Sequence, residues 1–223
     1  MREIVLDTET TGLDPNAGHR LVEIGCIELM NHIPTGASKQ WYINPLRDMP
    51  EEAFRVHGLS ADFLAKHPTF DVIADEFIEF IGDSPLVIHN AGFDMKFVNA
   101  ELEQAGKPTV PFARAIDTVT MARQKFPGAR ASLDALCQRF GIDLTSREKH
   151  GALLDATLLA EVYLELRGGR QAGLELAAQA AVVVMTETTV TIRPPRPHGP
   201  TEAEAAAHAA FIAKLKTPLW LAD

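Results

Sequence analysis

The sequence contains little cysteine and no long apolar run. Only two of its 223 residues are cysteines, Cys26 and Cys137, and each lies inside an apolar segment. This usage is typical of a reducing compartment, and a disulfide framework is not expected. No stretch is long and apolar enough to cross a membrane, and the first residues lack the apolar region and cleavage site of a signal peptide. We expect a cytoplasmic protein.

The chain also lacks an excess of positive charge. It has 21 lysines and arginines against 30 acids, a formal net charge of −9. A broad phosphate-binding surface is therefore not expected. A nucleic-acid enzyme is still compatible with this charge, because carboxylates that hold divalent cations add to the acid count. The bound metals then present positive charge to the substrate.

What the sequence does contain is a series of strand-like and helical segments. The predicted strands cover 3–7, 21–29, 40–45 and 86–89, and the predicted helices cover 70–81, about 93–106, 132–140 and 152–167. Strands come first and then alternate with helices, which is typical of a layered α/β domain with a mixed sheet.

The composition changes after the glycine pair 168–169. We predict a domain over 1–168, a linker over 169–200 and a C-terminal segment over 201–223. The linker is rich in Ala and Val, with a short strand conceivable at 190–192, and it ends in IRPPRPHGP, which excludes regular structure. Thr201 and Glu204 form a predicted capping box at the start of a helix over 201–216.

Four acids stand where strands end or helices begin. Asp7 and Glu9 share one face at the end of the first strand, and Asp94 and Asp155 lie on the apolar stripes of their predicted helices. Each acid alone has an ordinary structural explanation, such as a favourable place near a helix N-terminus. A shared cation site explains all four more simply, because a carboxylate on a core-facing stripe needs a positive partner.

The ligand types favour particular metals. Oxygen ligands suit Mg²⁺ or Mn²⁺, and four carboxylates can hold two such ions, with Asp7 as the natural bridge. His150 precedes Asp155 in HGALLD and is a candidate general base for a water molecule. His89 and Asn90 either hydrogen-bond the substrate backbone or cap the turn before the helix.

The motifs DTET, HNAGFD and HGALLD together resemble the DnaQ-like family of 3′–5′ exonucleases, in the DEDDh branch with D-x-E, D and H-x₄-D. The resemblance implies an RNase H-like fold with a central five-stranded mixed sheet flanked by helices. It implies two divalent ions held by Asp7, Glu9, Asp94 and Asp155, with His150 as the base, and release of deoxynucleoside 5′-monophosphates from DNA 3′ ends. Five residues are then expected to contact substrate besides Glu9, namely Thr8, Leu13, His89, Asn90 and Phe93. For Leu13 and Phe93, a wedge against terminal bases competes with ordinary packing.

Further segments are similar to those of proofreading subunits of bacterial replicative polymerases. The peptide QAGLEL resembles sliding-clamp ligands through Gln171, Leu174 and Leu176. The tail is similar to a polymerase-binding segment, with contacts predicted at Phe211, Leu215, Leu219 and Trp220. The implied partners are a DNA 3′ end, the polymerase catalytic alpha subunit, the sliding clamp and a small theta-like subunit.

Two other readings of the same residues remain open. An exonuclease that trims RNA has the same metal site, because the catalytic motifs do not separate DNA from RNA. A tether between polymerase and clamp with a dormant site has the same tail, although the intact set of five catalytic residues argues against it.

Overall fold

The computed structural model describes residues 1–145, 150–169 and 199–215. These residues divide into two compact units, one before and one after the gap at 170–198. The proposed boundary at 168/169 and nearly all of the linker 169–200 fall at or inside that gap, so the domain division remains a prediction. Within the described ranges, no helix is both long and apolar enough to span a membrane.

The first unit is built on a five-stranded sheet with the strand order β3-β2-β1-β4-β5. Its strands are β1 (Arg2–Thr10), β2 (Leu21–Met30), β3 (Ile33–Tyr42), β4 (Leu86–Ile88) and β5 (Ala115–Asp117). β1 pairs antiparallel with β2 and parallel with β4, and β4 pairs parallel with β5. The predicted five-stranded mixed sheet is thereby confirmed.

β1 is longer than the sequence pattern indicates. The predicted strand ends at Asp7, whereas the ladder with β2 continues through Thr10 and pairs Asp7 with Gly25 and Glu9 with Glu23. On its other side β1 pairs with β4 only at Ile4 and Val5. Asp7 is therefore paired with β2 but not with β4. The sheet is open next to Asp7 on the β4 side, where a ligand can bind.

The outer strands differ most from expectation. β3 begins at Ile33 rather than at residue 40 and ends at Tyr42, so residues 43–45 lie outside it. Its first eight residues are exposed, and an edge strand without a buried face has no apolar alternation to reveal it. β5 was not predicted, because three residues are too few for a pattern.

Eight α-helices occur among the described residues. They are α1 (Glu51–His57), α2 (Ala61–Leu64), α3 (Phe70–Ile81), α4 (Ala91–Gln104), α5 (Thr118–Lys125), α6 (Leu133–Phe140), α7 (Ala152–Leu166) and α8 (Glu202–Ile212). α3 has its predicted bounds. Ser132 accepts a hydrogen bond from the Ala135 N–H at the start of α6, and Gly141 ends that helix with a left-handed φ of 70°.

Each face of the sheet carries its own apolar core. One core packs Ile4 and Leu6 of β1 against α3 and α4, through side chains such as Phe77 and Met95. The other packs Val5 against α6 and α7, through side chains such as Leu136 and Leu159. Two helical layers are thus held on opposite sides of β1.

The second unit contains α8 in its described residues. The Thr201 hydroxyl accepts a hydrogen bond from the Glu204 N–H, and the Glu204 carboxylate accepts one from the Thr201 N–H. The predicted capping box is therefore confirmed. Phe211 is 60% exposed and Leu215 is 38% exposed.

Candidate active site

The acids of β1 follow the alternation of that strand. Val5 packs on the α7 side of the sheet, so Asp7 and Glu9 continue that side, whereas Thr8 continues the α4 side with Ile4 and Leu6. A buried apolar strand therefore ends in polar residues that meet the N-terminal turns of two different helices.

Asp94 enters from the first turn of α4 and is almost completely buried. Its Oδ1 accepts a hydrogen bond of 2.7 Å from the Thr8 hydroxyl. Burial raises the pKa of the Asp94 carboxyl to about 7, although the bond from Thr8 acts in the opposite direction. Thr8, which was expected to contact substrate, uses its hydroxyl to orient this acid, and its role toward substrate remains a prediction.

Asp155 and His150 enter from the start of α7. Asp155 lies in the first turn and is 3% exposed, and His150 immediately precedes the N-cap Gly151. His150 Nδ1 lies 3.1 Å from Asp155 Oδ2. One ligand atom each from Glu9, His150 and Asp155 lie within 4.8 Å of one another. The structure thus brings together β1 and α7 residues that are far apart in the chain.

Asp7 lies in the field of the other acids. Burial raises the pKa of its carboxyl well above the usual range. Four carboxylates raise it further, and in decreasing order of effect they belong to Asp94, Glu9, Asp155 and Glu23. So concentrated a set of negative groups is unfavourable without a cation.

Two residues of β2 determine how close α7 comes to these acids. Gly25 pairs with Asp7, and a Cβ on it would lie 2.3 Å from the backbone carbon of Ala152. Glu23 pairs with Glu9 and accepts hydrogen bonds from the N–H groups of Ala152 and Leu153. We call Glu23 and Gly25 the α7 seat. It fixes the first turn of α7, and with it Asp155, against β1.

Two of the candidate metal ligands, Asp7 and Asp155, open into a cavity of about 270 Å³. It is lined by Asp7, His89, Ser132, Asp134, His150 and Asp155, together with Leu133. His89 Nδ1 lies 2.9 Å from the Thr118 hydroxyl, which also donates to the Ile88 carbonyl. Asn90 is the N-cap of α4 in a left-handed conformation and makes no side-chain cap hydrogen bond. His89 therefore lines the site, and capping by the Asn90 side chain is not found.

A larger cavity, of about 470 Å³, lies next to Thr8 and Glu9 and contains the two proposed wedge residues, Leu13 and Phe93. Leu13 is 85% exposed, so packing does not account for it. Its loop is anchored to α4, because Arg20 forms a bidentate ion pair with the buried Glu101 at 2.7 and 2.6 Å.

The partner-binding residues are only partly described. Phe211 and Leu215 are exposed, as a binding role requires. Leu219 and Trp220 of the tail, and the clamp-binding candidates Gln171, Leu174 and Leu176, lie outside the described residues.

Sequence reasoning missed several residues around the site. The seat residues Glu23 and Gly25 lie in the apolar run LVEIGCIEL, where one acid and one glycine carry no recognisable signal. Ser132 and Asp134 line the cavity beside Asp7, although the sequence indicated only a helix cap there. Strand pairing is what would have identified the seat, since each of its residues faces an acid of DTET.

The residues fit a hard divalent cation. The proposed donors are carboxylate oxygens, which are typical of Mg²⁺ or Mn²⁺ sites, and the imidazole of His150 lies beside those of Glu9 and Asp155. The raised pKa values of Asp7 and Asp94 reflect buried carboxylates whose charged neighbours are mainly other carboxylates. A cation would relieve both the burial and the repulsion.

Comparison with known proteins identifies relatives of this chain. Residues 4–163 match the model of the exonuclease family RNase_T. The chain is 49% identical over 228 residues to DNA polymerase III subunit epsilon of Rickettsia conorii, with 96% of each chain covered. It is 47% identical over 176 residues to DNA polymerase III subunit epsilon of Escherichia coli, with 76% of this chain and 72% of that protein covered.

The fold has a counterpart among solved structures. The nuclease domain of 3′hExo, a DEDDh family member bound to rAMP, superposes with a TM-score of 0.65 at 19% identity. The match covers 74% of this chain and 90% of the other. At this identity the likeness concerns the fold, and it agrees with the predicted RNase H-like architecture.

Proposed function

This chain belongs to the exonuclease family, as a proofreading 3′–5′ exonuclease related to DNA polymerase III epsilon subunits, and we propose that it cuts DNA 3′ ends with two divalent metal ions. The observation that carries the two-metal proposal is the meeting of acids from β1, α4 and α7 around Asp7. Homology supports the exonuclease activity, and the acid cluster supports this mechanism.

The two ions are assigned to the acids by position. Asp7, Glu9 and Asp155 would hold the first, and Asp7 with Asp94 would hold the second. When bound, such ions lower the pKa of water and stabilise the charge on the attacking and departing oxygens. Thr8 keeps Asp94 oriented toward this role through its 2.7 Å hydrogen bond.

His150 is proposed to take the proton from the attacking water. The contact of 3.1 Å between His150 Nδ1 and Asp155 Oδ2 supports a tautomer in which Nδ1 carries the proton and donates it to the carboxylate. A neutral imidazole then has its acceptor on Nε2, which is the atom proposed to receive the proton. The side chain of His150 is 49% exposed, and it therefore has a route for releasing that proton to solvent.

The cavity at Leu13 and Phe93 is proposed to hold the terminal nucleotide. Its volume of about 470 Å³ lies in the range of small-molecule sites. An unpaired end is proposed to place its last base there, and unpairing costs least at a mismatch. Proofreading then needs no recognition of the wrong base itself.

The activity assay uses a 3′-labelled primer and the full chain. With Mg²⁺ we expect release of deoxynucleoside 5′-monophosphates, faster from a mispaired end than from a paired one, and no release in EDTA. Full activity in EDTA would exclude the metal mechanism. An RNA strand of the same sequence is assayed in parallel, and faster cutting of RNA would favour the RNA-trimming alternative.

We also propose partners for the regions beyond the exonuclease unit. Residues 201–223 are assigned to the polymerase alpha subunit, and Gln171, Leu174 and Leu176 to the sliding clamp; a theta-like subunit is a third predicted partner. The complex with these partners is proposed to be the replisome, in the cytoplasm. The exposure of Phe211 and Leu215 supports the first assignment.

Deleting residues 201–223 is expected to abolish co-purification with the alpha subunit and to leave primer excision unchanged. Replacing Gln171, Leu174 and Leu176 with alanine serves as the matched control, because it should weaken clamp binding only. Co-purification that survives the deletion would exclude the tail as the main polymerase contact.

A further inference from the structure

A third cavity, of about 490 Å³, adjoins the cavity that contains Asp7 and Asp155. Its lining includes Arg123, Arg130, Val119 and Asn90. His89 and Ser132 line both cavities, so the two share a wall. The two cavities are therefore neighbours on the surface of the exonuclease unit.

The shared wall is fixed by Asp117, at the end of β5. Its Oδ1 accepts hydrogen bonds from the N–H groups of Asn90 and Val119, at 3.1 and 3.0 Å. These bonds tie the turn after β4 to the first turn of α5. Arg123 follows Val119 by four residues and therefore projects from the same face of α5.

The two arginines differ from Arg2 and Arg20 in having no carboxylate partner among the described residues. Arg20 and Arg2 are paired with Glu101 and Glu28. Arg123 and Arg130 are exposed, and neither forms an ion pair with a carboxylate in the part of the chain that the structure describes. In a protein with a net charge of −9, two such guanidinium groups beside an acidic centre need a functional explanation.

We propose that Arg123 and Arg130 form a phosphate subsite that binds the nucleic-acid backbone adjacent to the scissile bond. Guanidinium groups bind phosphate oxygens in a bidentate manner and keep their charge at every relevant pH. The Ser132 hydroxyl is a further polar group in the wall shared with the catalytic cavity. This proposal rests on the proposed function, because the subsite would bind either the DNA strand whose 3′ end is cut or the strand paired with it.

The test compares the full chain with the double variant Arg123→Ala/Arg130→Ala. We expect KM for a 3′-labelled single strand or a primer–template to rise on the order of 10-fold, with kcat nearly unchanged. The dependence of log KM on log salt should become shallower, by roughly 0.7 for each phosphate of a single strand that the variant no longer neutralises. Arg→Lys variants keep the positive charge but lose the planar guanidinium group, so their KM should lie between that of the wild type and that of the double alanine variant.

Two controls separate a phosphate subsite from other effects. Lys39→Ala/Lys107→Ala removes the same charge from ion pairs with Glu76 and Asp75 on α3, and it should leave KM unchanged. The p-nitrophenyl ester of thymidine 5′-monophosphate has no neighbouring phosphodiester, so the arginine variants should cleave it like the wild type.

Each outcome decides the proposal. A KM rise on the single strand assigns the arginines to the excised strand, and a rise only on the primer–template assigns them to its complement; both support the subsite. Unchanged KM and salt dependence on both substrates overturn it, as does an equal loss on DNA and on the ester. A wild-type protein that cleaves neither substrate would instead refute the proposed function.

Discussion

Replacing Asp7 with asparagine is expected to abolish exonuclease activity without destabilising the metal-free protein. Asp7 is the acid on which the fields of Asp94, Glu9 and Asp155 converge, so its loss removes the ligand common to both proposed ions. We expect kcat to fall on the order of 10³-fold or more, comparable to the loss of a central electrostatic contact in other enzymes. Single-turnover excision of a labelled primer measures it.

The stability effect follows from the direction of the pKa shifts. A carboxyl whose pKa is raised by folding favours the folded state when protonated, so its contribution is lost as pH rises through the interval between the unfolded and folded values. For Asp94 that interval runs from roughly 4 to about 7. The Tm of the metal-free wild type should therefore fall as the pH rises through this interval. The Tm of Asp7→Asn should fall less, because the variant lacks the negative charge of Asp7.

Added Mg²⁺ should raise the Tm of the wild type more at pH 8 than at pH 5, and it should raise that of Asp7→Asn little at either pH. The matched control is Asp83→Asn, which changes an exposed acid before β4 and should behave as wild type. An Asp7→Asn variant that keeps its activity would show that the ligands are wrongly assigned.

Replacing Gly25 with alanine is expected to displace α7 and to reduce activity about 10²-fold, a loss typical of catalytic groups misplaced by about 1 Å. The new Cβ would lie 2.3 Å from the backbone of both Ala152 and Leu153. Backbone atoms of a packed helix cannot rotate away as a side chain can, so α7 must move and carry Asp155 and His150 with it. We expect a destabilisation of roughly 1–3 kcal/mol from the overpacking.

Chemical denaturation and kcat on a labelled primer check this prediction together. Gly92→Ala is the matched control for stability, because Gly92 lies in α4 with open space around its Cβ position. It should leave the protein as stable as the wild type or more stable by up to about 1 kcal/mol. Wild-type stability and activity in Gly25→Ala would mean that the close approach of α7 is not required.

The parts of the fold that could be predicted carry periodic or capping signals. Helix α3 has its predicted bounds because its apolar residues recur on one face, and α6 begins and ends at the signals Ser132 and Gly141. The strands β3 and β5 lack such signals. β3 is an edge strand whose exposed residues show no apolar alternation, and β5 has only three residues, too few to form a pattern.

The residues proposed for the site come from the sequence, but their arrangement does not. Acids at the start of α4 and α7 stand out because they interrupt apolar stripes. By contrast, the Thr8–Asp94 hydrogen bond and the seat at Glu23 depend on which residues the tertiary fold brings together. The same holds for Arg123 and Arg130, whose relation to the cleavage cavity appears only in three dimensions.

The docking of α7 on Gly25 has a consequence for the protein during its synthesis. Asp155 belongs to α7, the last described helix of the exonuclease unit, and His150 lies just before that helix, whereas Asp7 and Glu9 belong to β1 and are synthesised earlier. A nascent chain, or a fragment truncated before α7, carries an incomplete set of the proposed metal ligands, and we expect it to lack exonuclease activity. Activity is therefore expected only after α7 has docked against β2.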